Sequence, residues 1–274
     1  MEGMEAWANI SFEPHGAALA GMGRRQPAPR PRRPRRQLVH AAAAVVQETL
    51  WTTRCAICDA PGALLCADCA LALPFIDANR ACPRCGAPFG AVQCTECNRT
   101  LLAQAGREGL PLDGMGSALA LDDAARRLVT TYKDRGERRL AGAIGALIAR
   151  VVPPRWLQPS TVVTFVPATA AARARRGFDH AELLAQAVAD QLGIACLPLL
   201  DRPHSADQRL LGRRGRLRNL QQGMACRPGA RVPRAAIVVD DVCTTGATLY
   251  GAADALRAAG TQQVYGATLA RVWD

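Results

Sequence analysis

Two adjacent carboxylates, Asp240 and Asp241, end the apolar run Ile237-Val238-Val239 and lead into Val242-Cys243-Thr244-Thr245-Gly246-Ala247-Thr248-Leu249. The apolar triplet reads as a central strand, and the Thr-Thr-Gly turn opens a helix. In open α/β sheets, ligands sit outside the carboxyl ends of the strands. A turn at a helix N-terminus presents backbone N–H groups to an anion, which is a phosphate cradle. Thr244, Thr245 and Thr248 add hydroxyls, and Gly246 permits a close approach. Paired acids beside such a cradle can accept hydrogen bonds from two vicinal hydroxyls. The chemistry that suits this set is the binding of a sugar phosphate with free vicinal hydroxyls. Cys243, inside the loop, is the cysteine to watch among the three unpaired ones; Cys196 and Cys226 read as ordinary buried or half-buried side chains.

A second chemistry-bearing set lies upstream. Eight cysteines form four Cys-x-x-Cys pairs: Cys55/Cys58, Cys66/Cys69, Cys82/Cys85 and Cys94/Cys97. Each pair supplies half of a tetrahedral thiolate site, so four pairs supply two structural zinc sites. Redox use fits a single Cys-x-x-Cys beside a βαβ unit better, and disulfides suit an exported chain. Consecutive pairing gives two short ribbons, and interleaved pairing gives a cross-brace; the short loops between pairs favour the consecutive scheme. Four cysteines per zinc leave no open position for metal catalysis. A module this poor in apolar groups needs its metal to fold.

These residues must be held by a scaffold, and the pattern changes near residue 117 to supply one. Strands are expected over Ser117–Leu121, Thr161–Val166, Ala235–Val239 and Val264–Val272. Helices are expected over Asp122–Tyr132 (capped by Asp122), Arg138–Val152, Asp179–Leu192 and Thr248–Ala259. Strands alternating with helices imply a mainly parallel sheet flanked by helices, an α/β fold. The domain reading is an Arg/Pro-rich disordered arm over residues 1–37, a short helix plus double zinc-ribbon module over 38–105, and the α/β domain over 110–274.

Composition bounds the function classes. The 274 residues carry a formal charge of +11, and Lys133 is the only lysine. The arginines read mostly as solvated cations, with anion binding reserved for clusters. No apolar run reaches the length of a membrane span, and the N-terminus does not read as a secretory signal, so a soluble cytoplasmic protein is expected. Aromatic residues are 4% of the chain. That leaves few stacking platforms for single-stranded nucleic acid.

The segment Ile237–Leu249 resembles the PRPP-binding motif of type I phosphoribosyltransferases. Val166-Pro167, the basic run Arg173–Arg176, Gly177-Phe178-Asp179-His180-Ala181-Glu182-Leu183-Leu184-Ala185, Gln208 and Arg213–Asn219 resemble the ComF family, phosphoribosyltransferase-like proteins linked to DNA uptake that carry an N-terminal cysteine-rich zinc module. Asp179-His180 departs from the Asn-Gln of that family segment. The resemblance covers roughly residues 51–274. It implies the type I phosphoribosyltransferase fold and PRPP bound with Mg²⁺. Asp240 and Asp241 would hold the ribose as the candidate catalytic pair. Cys243, Thr244, Thr245, Gly246, Ala247 and Thr248 would wrap the 5′-phosphate. The loop Pro167–Arg176 would meet pyrophosphate through backbone amides and Arg173, Arg175 or Arg176, with Arg176 the candidate carried forward. Gln208–Asn219 resembles the mobile hood of this fold, and Lys133 resembles a family position of undefined role. Two functions follow from the resemblance. One is phosphoribosyl transfer to an unidentified acceptor in DNA uptake. The other is a non-enzymatic accessory factor binding single-stranded DNA or competence partners.

Overall fold

The computed structural model describes residues 53–104, 106–202 and 224–273. The arm over 1–37, the helix over 38–50 and the segment Gln208–Asn219 lie outside the described residues. The core is a four-stranded parallel sheet. Its strands are β1 (Gly114–Ala120), β2 (Thr161–Phe165), β5 (Ala235–Cys243) and β6 (Gln263–Arg271), in the order β1-β6-β5-β2. The strands β2, β5 and β6 are buried along almost their whole length. Both faces are covered, so these strands read as continuous apolar runs rather than alternating ones. A two-residue antiparallel pair, β3 (Leu200–Asp201) with β4 (Ala225–Cys226), stands apart from the sheet.

One face carries α3 (Asp123–Lys133), α4 (Leu140–Ala149) and α6 (His180–Leu192), packed with Ile237, Val239, Ala267 and Leu269. The other carries α7 (Ala247–Ala258), whose Leu249, Ala252, Ala253 and Leu256 meet Ala236, Val238 and Val264. Few rings are available, so the layers close through small residues: a Cβ on Gly145 of α4 would come within 2.7 Å of the Ala187 Cβ on α6. Asp122 accepts a hydrogen bond from Ala125 N and caps α3. The strands and helices expected from residue 117 onwards are all present, with their ends shifted by a few residues. One element differs. The stretch expected as a phosphate-binding loop over 167–176 contains a helix, α5 (Ala170–Arg176), capped by Thr169. Its Ala-Ala-Ala-Arg-Ala-Arg-Arg composition favours helix, and the charge run masked that propensity.

The cysteine module includes two short helices, α1 (Ala67–Leu71) and α2 (Arg99–Gln104), and docks directly on the sheet. Ile76 N donates to Ala118 O, and Ala120 N donates to Pro74 O. These bonds cover the β1 edge, which would otherwise expose an unpaired ladder. Ala56, Ile57, Leu64 and Leu65 pack against the helical face beside α3. Among the described residues, no helix is long and apolar enough to cross a membrane.

Candidate functional site

The connections leaving the adjacent strands β2 and β5 go to opposite faces of the sheet. That from β2 leads through α5 to α6; that from β5 leads to α7. Their divergence opens a crevice at the carboxyl ends of the strands, the position where such sheets bind ligands. A cleft of about 260 Å³ occupies it, and its walls include Lys133, Arg176, His180, Asp240, Asp241 and Thr248.

Asp240 is half-buried and Asp241 is buried. Lys133, the last residue of α3, pairs with the Asp241 carboxylate across the cleft. The two acids titrate apart. Burial and the neighbouring Asp241 charge push Asp240 up to about 8. Asp241 is held below the usual carboxylate range: its burial opposes this, but the Lys133 ammonium outweighs it. The two carboxyls are thus pushed in opposite directions, Asp240 towards its neutral form and Asp241 towards its charged form.

After Cys243 the chain turns through Thr244 and Thr245, both exposed, to Gly246, which sits in the left-handed region at φ 77° and heads α7. Thr245 Oγ1 accepts from Ala247 N at 3.4 Å. A Cβ on Gly246 would meet the Tyr250 ring at 2.5 Å. Both backbone and space therefore require glycine here. Gly246→Ala is expected to cost roughly 1–3 kcal/mol of stability and to open the turn; a lower thermal midpoint checks it. Cys243 is buried, and burial pushes its thiol up, so it is a neutral packing group.

The opposite wall is fixed by Asp179. Its Oδ1 accepts from Ala181 N at 3.0 Å and from Glu182 N at 3.4 Å, capping α6, while its Oδ2 accepts from Ala168 N at 2.9 Å. One carboxylate therefore ties the loop after β2 to the start of α6. Tyr132 Oη donates to His180 O at 2.6 Å, tying α3 to the same corner. Arg176 Nη2 bonds Asp134 at 3.1 Å, and its Nη1 lies 3.3 Å from His180 Nδ1. Burial and the nearby Lys133 lower the His180 pKa, so the ring is neutral. An arginine can only donate, so His180 Nδ1 accepts and Nε2 carries the proton. The buried Arg176 Nε has no acceptor among the described residues.

Of the residues expected at the site, Asp240, Asp241, Thr248 and Arg176 line the cleft together with Lys133. Cys243 does not face it as a ligand group. Arg173 and Arg175, also on α5, are exposed and do not line it. Sequence reasoning missed His180 and Arg202 as cleft residues. It also missed Asp179 as the tie between two loops. An Asp directly before a helix was legible as a cap, but its second oxygen's partner was not.

The eight paired cysteines gather as two groups, Cys55/Cys58/Cys66/Cys69 and Cys82/Cys85/Cys94/Cys97, with the sulfur atoms of each within 4.8 Å of one another. This is the consecutive scheme. Sulfurs of Cys82 and Cys97 lie 3.7 Å apart, and those of Cys85 and Cys94 3.6 Å. A tetrahedron with Zn–S arms of about 2.3 Å has edges of about 3.8 Å, so both groups are compatible with structural zinc. Four crowded thiols cannot all ionise without a cation. In the second group a hydrogen bond from Cys85 lowers Cys82 to about 4, while burial pushes Cys97 up to about 12.

No family model and no curated protein matches the sequence. A solved structure described as the allosteric regulatory enzyme of purine biosynthesis is similar over 48% of this chain and 25% of its own, at 19% identity and a TM-score of 0.34. The chain therefore corresponds to about a quarter of that protein's length.

Proposed function

We propose that this chain binds PRPP, or a related ribose 5-phosphate ester, in the crevice between the β2 and β5 connections. The observation that carries the reading is the convergence of Asp240, Asp241, Thr248 in the first turn of α7, and the cations Lys133 and Arg176 on one cleft. Asp240 and Asp241 accept the ribose hydroxyls. The N–H groups and hydroxyls of residues 243–248 hold the 5′-phosphate. Arg176, with its unused Nε, takes the pyrophosphate side, and the Mg²⁺ that accompanies a pyrophosphate enters with the substrate. Bond cleavage at C1 of such a substrate develops oxocarbenium charge. The protein's part is to orient the ester, exclude water and neutralise the leaving pyrophosphate. The ionised Asp241, kept so by Lys133, supports the positive charge that develops near the ribose.

The two four-cysteine groups before the sheet, together with the ComF-like segments, favour a ComF-type protein acting in DNA uptake. Phosphoribosyl transfer to an acceptor is the first reading. A second reading is an accessory factor that keeps the pocket and contacts single-stranded DNA or competence partners. It draws on the exposed Phe89 and Trp273, whose centroids are 5.0 Å apart, with Arg80 over the Phe89 ring at 4.8 Å. Calorimetric titration of the full chain with PRPP and Mg²⁺ tests the shared pocket: saturable one-site binding is expected, and no binding at millimolar ligand rejects it. Pyrophosphate release across a panel of bases and oligonucleotides then separates the readings. Release supports transfer; binding without release supports the accessory factor.

A further inference from the structure

Arg271 is the last residue of β6 and is buried to 3% exposure, a costly place for a guanidinium without compensation. It pairs in register with Cys243, the last residue of β5. Its Nη1 donates to Cys243 Sγ at 2.8 Å and reaches Thr244 O at 3.5 Å, so it holds the turn that precedes the phosphate cradle. Its Nη2 lies 3.8 Å from Glu96 Oε2. Glu96 sits inside the turn that joins Cys94 to Cys97. Its Nε has no acceptor among the described residues.

The charges on the two sides explain the placement. A divalent ion with four thiolates carries a formal charge of about −2. Arg271 is a buried cation between that centre and the phosphate turn. With the metal bound, the thiolate centre and Glu96 compensate the guanidinium. With the metal lost, the Cys94–Cys97 turn is no longer pinned, and the Glu96 contact that anchors the guanidinium from that side is released.

Resting on the ribose-phosphate reading of the cleft, we propose that Arg271 is a positioning residue that couples the second four-cysteine centre to the Cys243–Thr248 loop, so that the metal tightens the binding of a phosphate ester some distance away. The second cysteine group is thereby part of the binding apparatus and not only a folding staple. Linkage makes the coupling reciprocal: a ligand in the cradle raises the equilibrium affinity for the metal by the same factor by which the metal raises the ligand's affinity.

The test uses the full zinc-loaded chain and the variants Arg271→Met, Arg271→Lys and Glu96→Gln. Amide exchange is followed over 243–249 and over 80–98 while zinc is withdrawn by a chelator. In the wild type, opening of 80–98 is expected to raise exchange in 243–249 by about tenfold. In Arg271→Met the loop exchanges fast with zinc still bound, and Arg271→Lys falls between the two. Wild-type loop exchange that stays flat while 80–98 opens overturns the proposal, as does a zinc-replete Arg271→Met with wild-type loop exchange. Should Arg271→Met lose zinc during expression, Glu96→Gln decides: its half-exposed position spares the fold, and an unchanged loop response to zinc withdrawal refutes the link. The exchange readout needs no ligand. If the loop responds but ribose 5-phosphate does not bind, the pocket reading fails and the coupling stands. Where ribose 5-phosphate binds, its affinity falls about tenfold on emptying the second centre, and the equilibrium zinc affinity of that centre rises by the same factor in its presence; equal affinity in both metal states refutes the coupling alone.

Discussion

On the proposed ribose-phosphate reading of the cleft, Asp240→Asn and Asp241→Asn are each expected to lower the affinity for PRPP with Mg²⁺ by about 10- to 100-fold, the range of one or two lost hydrogen bonds to substrate hydroxyls. The two variants differ in stability. Asp241→Asn removes the partner of Lys133, whose side chain is 25% exposed, and breaking a partly buried pair of this kind costs about 3 kcal/mol. Asp240→Asn replaces a carboxyl that burial and the Asp241 charge push towards its neutral form, so its thermal midpoint at pH 7 is expected to stay near the wild type. The pH dependence follows from the same asymmetry. The Asp240 pKa is raised, so the folded protein retains a proton that the unfolded chain releases. The stability this contributes is full below the ordinary carboxylate range and is lost as the pH rises towards about 8. Asp241 has the opposite sign: its depressed pKa contributes stability above the ordinary range that is lost on acidification. Thermal midpoints between pH 5 and 9 should fall in the wild type and flatten in Asp240→Asn. An equal slope in both proteins would place the proton elsewhere.

Removal of zinc has the larger effect on the fold, and it acts unequally on the two groups. The apolar core around the second group consists of its own ligands Cys82, Cys85 and Cys97 with Ala87. Among the described residues only the partly buried Cys94 and Leu110 pack on that cluster besides, and a structural zinc of this type contributes about 10–16 kcal/mol in small modules. The first group is better anchored: Ala56, Ile57, Leu64 and Leu65 pack on the main core, Thr131 Oγ1 donates to Ala56 O, and Arg127 donates to Ile57 O. Chelation is therefore expected to open residues 78–98 first. Limited trypsin digestion should cut after Arg80 and Arg84 early and after Arg54 late, with about two zinc ions per chain released in two phases. Simultaneous cleavage of both ribbons would show that the packing around the first group confers no protection.

The chain's own chemistry fixed several features before any folding was considered. Strand, paired acids, Thr-Thr-Gly and helix followed from local order, because a turn that needs positive φ and a helix start leave their marks in neighbouring residues. The metal groups were legible for the same reason, since two sulfurs of one half-site lie three residues apart. The alternation of strands and helices gave the layers. What required tertiary structure were pairings across long sequence distances. Lys133 meets Asp241 only because α3 ends beside the carboxyl end of β5. Arg271 meets Cys243 and Glu96 only because β6 lies against β5 and the second ribbon covers their ends. His180 joins Arg176 because Gly177, at φ 73°, ends α5 and turns the chain into α6. No local pattern encodes such meetings: a lone cation in a chain rich in arginine looks like surface charge until the fold buries it against its partner. The sequence by itself determined which groups could bind a phosphate and a metal. The tertiary structure decided which cations those groups share, and so which acid in the cleft is charged.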